Sequence, residues 1–206
     1  MLEINDLSVK YGTRVVFESL NWKIAPDIYA VLGKNGCGKT TLLECLAGIK
    51  SPSQGKVSLN GVDLYRNPVA VKMRLSYMPD APHVFPTMTA RDLLRLMVFA
   101  KHLDEKKADR EITRYLERLH VTAYLDTQFG QMSLGTQRKF TMVAALLGRP
   151  DLLLLDEPTN GLDQDACMQF AQVITQEIDH DCVVLMSTHS SELIESVNAK
   201  KLYLQC

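Results

Sequence analysis

Runs of strand-forming residues bounded by turn residues fall at Met1–Leu7, Asn21–Ile24, Ile28–Leu32 and Gly55–Leu59. Asn60-Gly61 follows the last of them and reads as a hairpin turn. The opening third is therefore expected to be antiparallel sheet wrapped around one interior strand, Tyr29–Leu32. From Thr87 to about Leu125 the pattern becomes helical, with Ile112, Tyr115, Leu116 and Leu119 at helical spacing as core packing. Thr89 and Asp92 form an N-terminal cap, because threonine accepts from exposed amides and aspartate suits the positive helix end.

After Gly135 the chain alternates: helix Arg138–Leu147, strand Leu152–Leu155, helix Gln164–Ile178, strand Cys182–Ser187, helix Ser191–Val197, strand Lys201–Leu204. Alternation of this kind implies right-handed crossovers and a parallel sheet with helices on its faces. The fold class is α/β, with a mostly parallel core sheet, an N-terminal antiparallel part and an inserted helical part. As a division of one domain over 1–206, the boundaries are 1–86 for the β-part and first piece of core, 87–135 for the helical insertion, and 136–206 for the remaining core.

Composition narrows the partners. A formal net charge of −1 lacks the basic excess by which bulk electrostatics holds nucleic acid. The longest apolar stretches fall well short of a membrane span, and the first residues lack a secretory signal. Five cysteines without a C-x-x-C pair suggest reduced thiols in the cytosol.

Gly33–Thr40, G-K-N-G-C-G-K-T, matches G-x-x-x-x-G-K-[ST] in full, between the strand Tyr29–Leu32 and a helix Thr40–Ala47. Its glycines, Gly33, Gly36 and Gly38, let backbone N–H groups turn inward around β- and γ-phosphate oxygens at a positive helix end. Asn35 and Cys37 complete the loop, Cys37 at a variable position where its side chain is filler. Lys39 brings a point charge, Thr40 a hydroxyl for Mg²⁺, and Thr41 a donor for the α-phosphate.

Asp156 and Glu157 close a buried strand at its C-terminal end, which in a parallel sheet faces the ligand crevice. Asp156 is the expected Mg²⁺ partner, through water, and Glu157 the residue that orients and deprotonates an attacking water. The substrate these groups fit is a nucleoside triphosphate with Mg²⁺.

Together with M-S-L-G-T-Q at 132–137, L-D-E-P-T-N-G-L-D at 155–163 and S-T-H at 187–189, the phosphate loop resembles ATP-binding cassette (ABC) transporter ATPase subunits over essentially the whole chain. The resemblance implies that Tyr11 stacks on adenine, that Ser133, Gly135 and Thr136 form the signature facing phosphate, that Asp163 crosses a dimer interface, and that His189 contacts the γ-phosphate. It implies two copies, or one copy and a paralogous cassette, closing head to tail over ATP. It also implies a separate integral membrane subunit and a location on the cytoplasmic face. The helical stretch after Asp80 would dock that subunit.

Two places depart from the family pattern. Leu134 and Thr136 replace the usual glycine and glutamine of the signature, and Asp80 in Y-M-P-D-A-P replaces the usual glutamine whose amide oxygen meets Mg²⁺. A carboxylate is shorter and fully charged, and Asp80 is expected to sense Mg²⁺ and γ-phosphate. These variants, with a chain that ends soon after the histidine, resemble exporter ATPases. A soluble cassette ATPase of the iron–sulfur assembly type is the alternative; a P-loop kinase would leave Ser133–Gln137 and His189 without a role.

Overall fold

A computed structural model of the chain describes residues 1–81, 84–178 and 180–205, so Pro82 of the Y-M-P-D-A-P stretch and Cys206 lie outside the described residues. The chain folds as two compact units: Met1–Tyr77 with Pro150–Glu157 and Asp179–Cys206, and Met78–Arg149 with Pro158–Ile178.

The first unit carries two sheets. One is antiparallel in the order β2-β1-β4-β5, built from β1 (Leu2–Tyr11), β2 (Arg14–Ile24), β4 (Gln54–Leu59) and β5 (Val62–Asp63). The other has the order β6-β7-β8-β3-β9, from β6 (Leu75–Met78), β7 (Leu152–Asp156), β8 (Val183–Ser187), β3 (Asp27–Leu32) and β9 (Lys200–Tyr203). The pairs β7·β8, β3·β8 and β3·β9 are all parallel. The expected α/β class with an antiparallel N-terminal sheet is therefore what the chain forms. Strand β3 differs from expectation, because it lies between β8 and β9 of the parallel sheet and has no partner in the antiparallel one.

Burial explains why β7 and β8 were readable. Every residue of both is buried, as happens when helices cover both faces of a parallel sheet, so each appears as an unbroken apolar run. Each leucine in β7 contributes on the order of 2 kcal/mol relative to exposure. The antiparallel sheet was less legible. Strand β2 extends from Arg14, well before the expected Asn21, with mostly exposed residues and register shifts opposite Leu7, Val9 and Lys10. Those irregularities erase the period-two pattern. The helix α2 (Pro68–Lys72) and strand β6 are too short to leave a periodic signal. One glycine in this sheet is sterically required: a Cβ on Gly55, φ +99°, would fall 2.4 Å from the Asp6 carbonyl oxygen.

The helix α1 (Lys39–Leu46) leaves the C-terminal end of β3 and buries Leu42, Leu43, Cys45 and Leu46. Register aligns the ends of three strands, because Ser187 of β8 is level with both Asp156 of β7 and Val31 of β3. The phosphate loop, Asp156-Glu157 and Thr188-His189 therefore leave the sheet along one edge.

The second unit is helical: α3 (Ala90–Ala100), α4 (Glu105–Arg118), α5 (Leu134–Leu146) and α6 (Gln164–Glu177). The expected cap at Thr89 is a full capping box, in which Asp92 N–H donates to Thr89 Oγ1 at 3.1 Å and Thr89 N–H donates to Asp92 Oδ2 at 3.0 Å. Helix α5 starts at Leu134, earlier than the apolar pattern from Arg138 alone suggested, because Ser133 caps it. Lys101 Nζ, on a buried lysine, donates to the Leu147 carbonyl at 2.7 Å just beyond that helix's other end. Among the described residues no helix is long and apolar enough to cross a membrane.

Candidate functional site

The phosphate loop is shaped by backbone constraints. Gly38 precedes α1 with φ +96°, and a Cβ there would lie 2.3 Å from Val16 Cγ1, so no side chain fits. As N-cap residue it offers no side-chain acceptor, and the first amides of α1 stay open for an anion. Lys39 is buried to 9 % exposure and its Nζ donates to the Gly33 carbonyl at 3.1 Å, so the ammonium lies back across the loop. Cys37 is buried, its Sγ 2.5 Å from where a Gly33 Cβ would stand.

A cavity of about 430 Å³ opens above this loop. Asn35, Gly36, Gly38, Lys39, Thr40 and Thr41 supply one wall. Asp156, Glu157 and His189 supply another, and Tyr11, Arg14 and Val16 a third. Tyr11 is half exposed, with Lys50 Nζ 5.6 Å from its ring centroid. Gly33 and Cys37 lie close to each other and do not line the cavity.

At the strand ends the carboxylates are tightly held. Ser187, fully buried, donates its hydroxyl to Asp156 Oδ1 at 2.5 Å. The same Oγ accepts the Glu157 N–H at 3.0 Å, and the Ser187 carbonyl accepts it too at 3.1 Å. Glu157 has φ +43°, a left-handed conformation that costs a non-glycine residue about 1–3 kcal/mol. The paired acceptors from Ser187 hold that backbone in place. The strain turns Glu157 out of the strand so that its carboxylate joins Asp156 on the cavity wall.

Burial pushes the Glu157 carboxyl above its ordinary value, and the nearby Asp156 charge adds to this. His189, through its charge and its backbone N–H, and Lys39 oppose the shift without cancelling it. His189 is exposed, with Nε2 3.3 Å from Glu157 Oε1.

The sequence alone gives Ser187 no role, although it begins the S-T-H stretch. Its role is visible only once the register sets it level with Asp156. Ser187→Ala would leave a buried carboxylate short of a donor, a loss of about 1–3 kcal/mol. Denaturant unfolding is expected to read that loss, and hydrolysis to show a lower kcat with nucleotide affinity little changed. Ser187→Thr should retain most of both. A folded alanine variant with unchanged kcat would separate Ser187 from the chemistry.

The remaining residues singled out in the sequence belong to the second unit. Ser133 Oγ accepts the Thr136 N–H at 3.2 Å and lies 2.9 Å from Thr136 Oγ1. Ser133 and Leu134 are exposed, and Gly135 and Thr136 half-buried. A Cβ on Gly135 would meet Leu162 Cδ2 at 3.5 Å, and one on Gly161 would meet Leu134 Cδ2 at 3.5 Å. The start of α5 thus packs beside the 161–162 segment. Asp163 caps α6, its Oδ1 accepting the Ala166 N–H at 2.8 Å. Asp80 Oδ1 accepts from Arg138 Nη2 at 2.8 Å and from Asn160 Nδ2 at 3.2 Å.

A model of the ABC transporter family matches residues 17–160. The zinc import ATP-binding protein ZnuC of Roseobacter denitrificans is 34 % identical over 99 % of this chain and 75 % of its own. The SkfA peptide export ATP-binding protein SkfE of Bacillus subtilis is 28 % identical, over 94 % of this chain and 81 % of its own. A solved structure described as an ATP-binding subunit of an ABC transporter superposes with TM-score 0.92 at 28 % identity, covering 100 % of this chain and 86 % of that one.

Proposed function

This chain belongs to the ABC transporter family, and on that premise we propose the roles of its site. It is an ATP-binding, ATP-hydrolysing subunit. The observation that carries the residue assignments is the one cavity where Lys39, Thr40, Asp156, Glu157 and His189 meet at the end of a parallel sheet. Lys39 and the open amides of the loop bind the β- and γ-phosphates, and Tyr11 stacks on adenine. Glu157 accepts the proton of the attacking water while His189 holds its carboxylate and touches the γ-phosphate.

Thr40 and Asp156 fit Mg²⁺, since a hydroxyl and a carboxylate, completed by phosphate oxygens and water, are the donors it takes. When bound it neutralises charge on the phosphate oxygens. Ser133, Gly135, Thr136 and Asp163 act on the ATP of a facing copy, or of a paralogous cassette. The exposure of Ser133 and Asp163, each the cap of a helix N-terminus, supports this reading.

The polypeptide it drives is a separate integral membrane protein, which places this chain on the cytoplasmic face. The direction is export, on the M-S-L-G-T-Q variant and Asp80; both an importer and an exporter subunit are among its relatives. Affinity purification from detergent-solubilised membranes is expected to bring down a polytopic membrane protein. Adding that protein back should raise ATP hydrolysis. A chain that stays alone and hydrolyses ATP at an unaltered rate in such membranes would argue for a soluble cassette ATPase.

A further inference from the structure

The family pattern gives residue 80 an amide side chain, and this chain gives it a charge. The second unit contains the counter-charge. Arg138 lies in α5 with its side chain only 3 % exposed, and its Nη2 reaches Asp80 Oδ1 at 2.8 Å. A buried guanidinium that loses its counter-ion is strongly destabilised, whereas an amide at position 80 would supply a dipole and no charge. Asn160 donates to the same Oδ1 from a different segment. One carboxylate oxygen therefore joins three stretches of chain: residues 79–81, helix α5, and the 158–163 segment.

Both stretches held by Asp80 carry residues assigned above to the facing copy's ATP. Arg138 lies five residues after Ser133 on the helix that Ser133 caps. Asn160 lies three residues before Asp163, and the intervening Gly161 and Leu162 pack beside Leu134 and Gly135. We propose that Asp80 is a positioning residue, which through Arg138 and Asn160 fixes the signature serine and the Asp163 segment as one rigid surface for the partner's nucleotide. It does not act as a metal ligand. The inference rests on the two-copy reading of Ser133 and Asp163.

The test is a double-mutant cycle in a Glu157→Gln background, measuring the ATP concentration at half-maximal dimer by analytical ultracentrifugation. Mg²⁺ titrations of nucleotide binding accompany it. Asp80→Ala and Arg138→Gln are each expected to raise that ATP concentration about tenfold. The double variant should be no worse than Asp80→Ala alone, because both changes break the same contact. The Mg²⁺ concentration for half-maximal nucleotide binding should not move in any of them. Asn160→Ala, an exposed change tolerated by the fold, should shift dimerisation in the same direction even if a variant at 138 does not fold. Multiplicative effects at 80 and 138, no shift with Asn160→Ala, or a Mg²⁺ requirement raised by Asp80→Ala alone would each overturn the proposal. If the Glu157→Gln parent fails to dimerise with ATP, the two-copy reading falls and this inference with it; if the parent dimerises and the variants match it, only this inference falls.

Discussion

A chain carrying Lys39→Ala is expected to lose ATP hydrolysis by a factor of about 10²–10³, the range found when one preorganised donor to developing charge is removed. Lys39 is the buried cation of the phosphate loop, held at 3.1 Å from the Gly33 carbonyl. A carbonyl oxygen is a weak partner for an ammonium, so its exchange for a phosphate oxygen is favourable and needs little movement. An ion pair 4 Å apart near a protein surface is worth about 4 kcal/mol of attraction, which is the term that alanine deletes. Carboxylate side chains across the same cavity make the loss worse, because the triphosphate then approaches Asp156 and Glu157 without this compensating charge. Nucleotide binding, read by a fluorescent ATP analogue, should weaken together with phosphate release. Lys39→Arg should also fail, since a planar guanidinium does not replace a compact ammonium in a confined loop. Hydrolysis retained within about threefold, by contrast, would mean that this loop is not the phosphate site.

Why was so much of this arrangement legible in the chain itself? The loop and the buried strands share one cause. A phosphate cradle needs glycines at fixed places, Gly38 having no room for a Cβ beside Val16, and a covered parallel strand needs an unbroken apolar run such as Leu152–Leu155. Both constraints act on residue identity, so both appear as letters. What stayed hidden depends on register or distance. Ser187 is an ordinary serine until β7 and β8 pair, and the charge on Asp80 has no visible reason until α5 brings Arg138 to it. The first half of β2 and the short elements α2 and β6 were hidden for a different reason. Exposed, bulged or single-turn segments need no particular residue at most of their positions.

Glu157→Gln is expected to remove nearly all turnover while leaving ATP binding intact, so that the chain accumulates as an ATP-bound dimer. A general base contributes about 10²–10⁴ in rate, and glutamine removes it with almost no change of shape. The backbone that presents residue 157 does not depend on the acid, because its N–H is held by both oxygens of Ser187. The left-handed turn, φ +43° in the parent, should therefore persist. The contact with His189 Nε2, 3.3 Å in the parent, should persist with the glutamine amide oxygen as acceptor. On the proposed two-copy site, closure over ATP is expected to be driven by phosphate charge shared between the loop of one copy and the signature of the other, and to be released by hydrolysis. The pH profile supplies a second signature. Burial raises the Glu157 carboxyl above its ordinary value against the pull of His189 and Lys39, so the base is lost by protonation at a pH above the usual glutamate range. Activity in the parent should fall on that acid limb, and the small residual rate of Glu157→Gln should not follow it. The same raised value means that the folded chain binds a proton more readily than the unfolded one, so this group's contribution to stability decreases as pH rises through that limb. Size-exclusion chromatography with ATP and Mg²⁺ reads the trapped dimer. A Glu157→Gln chain that remains monomeric with ATP, or that hydrolyses it at the parental rate, would remove Glu157 from the role of base and the facing signature from the site.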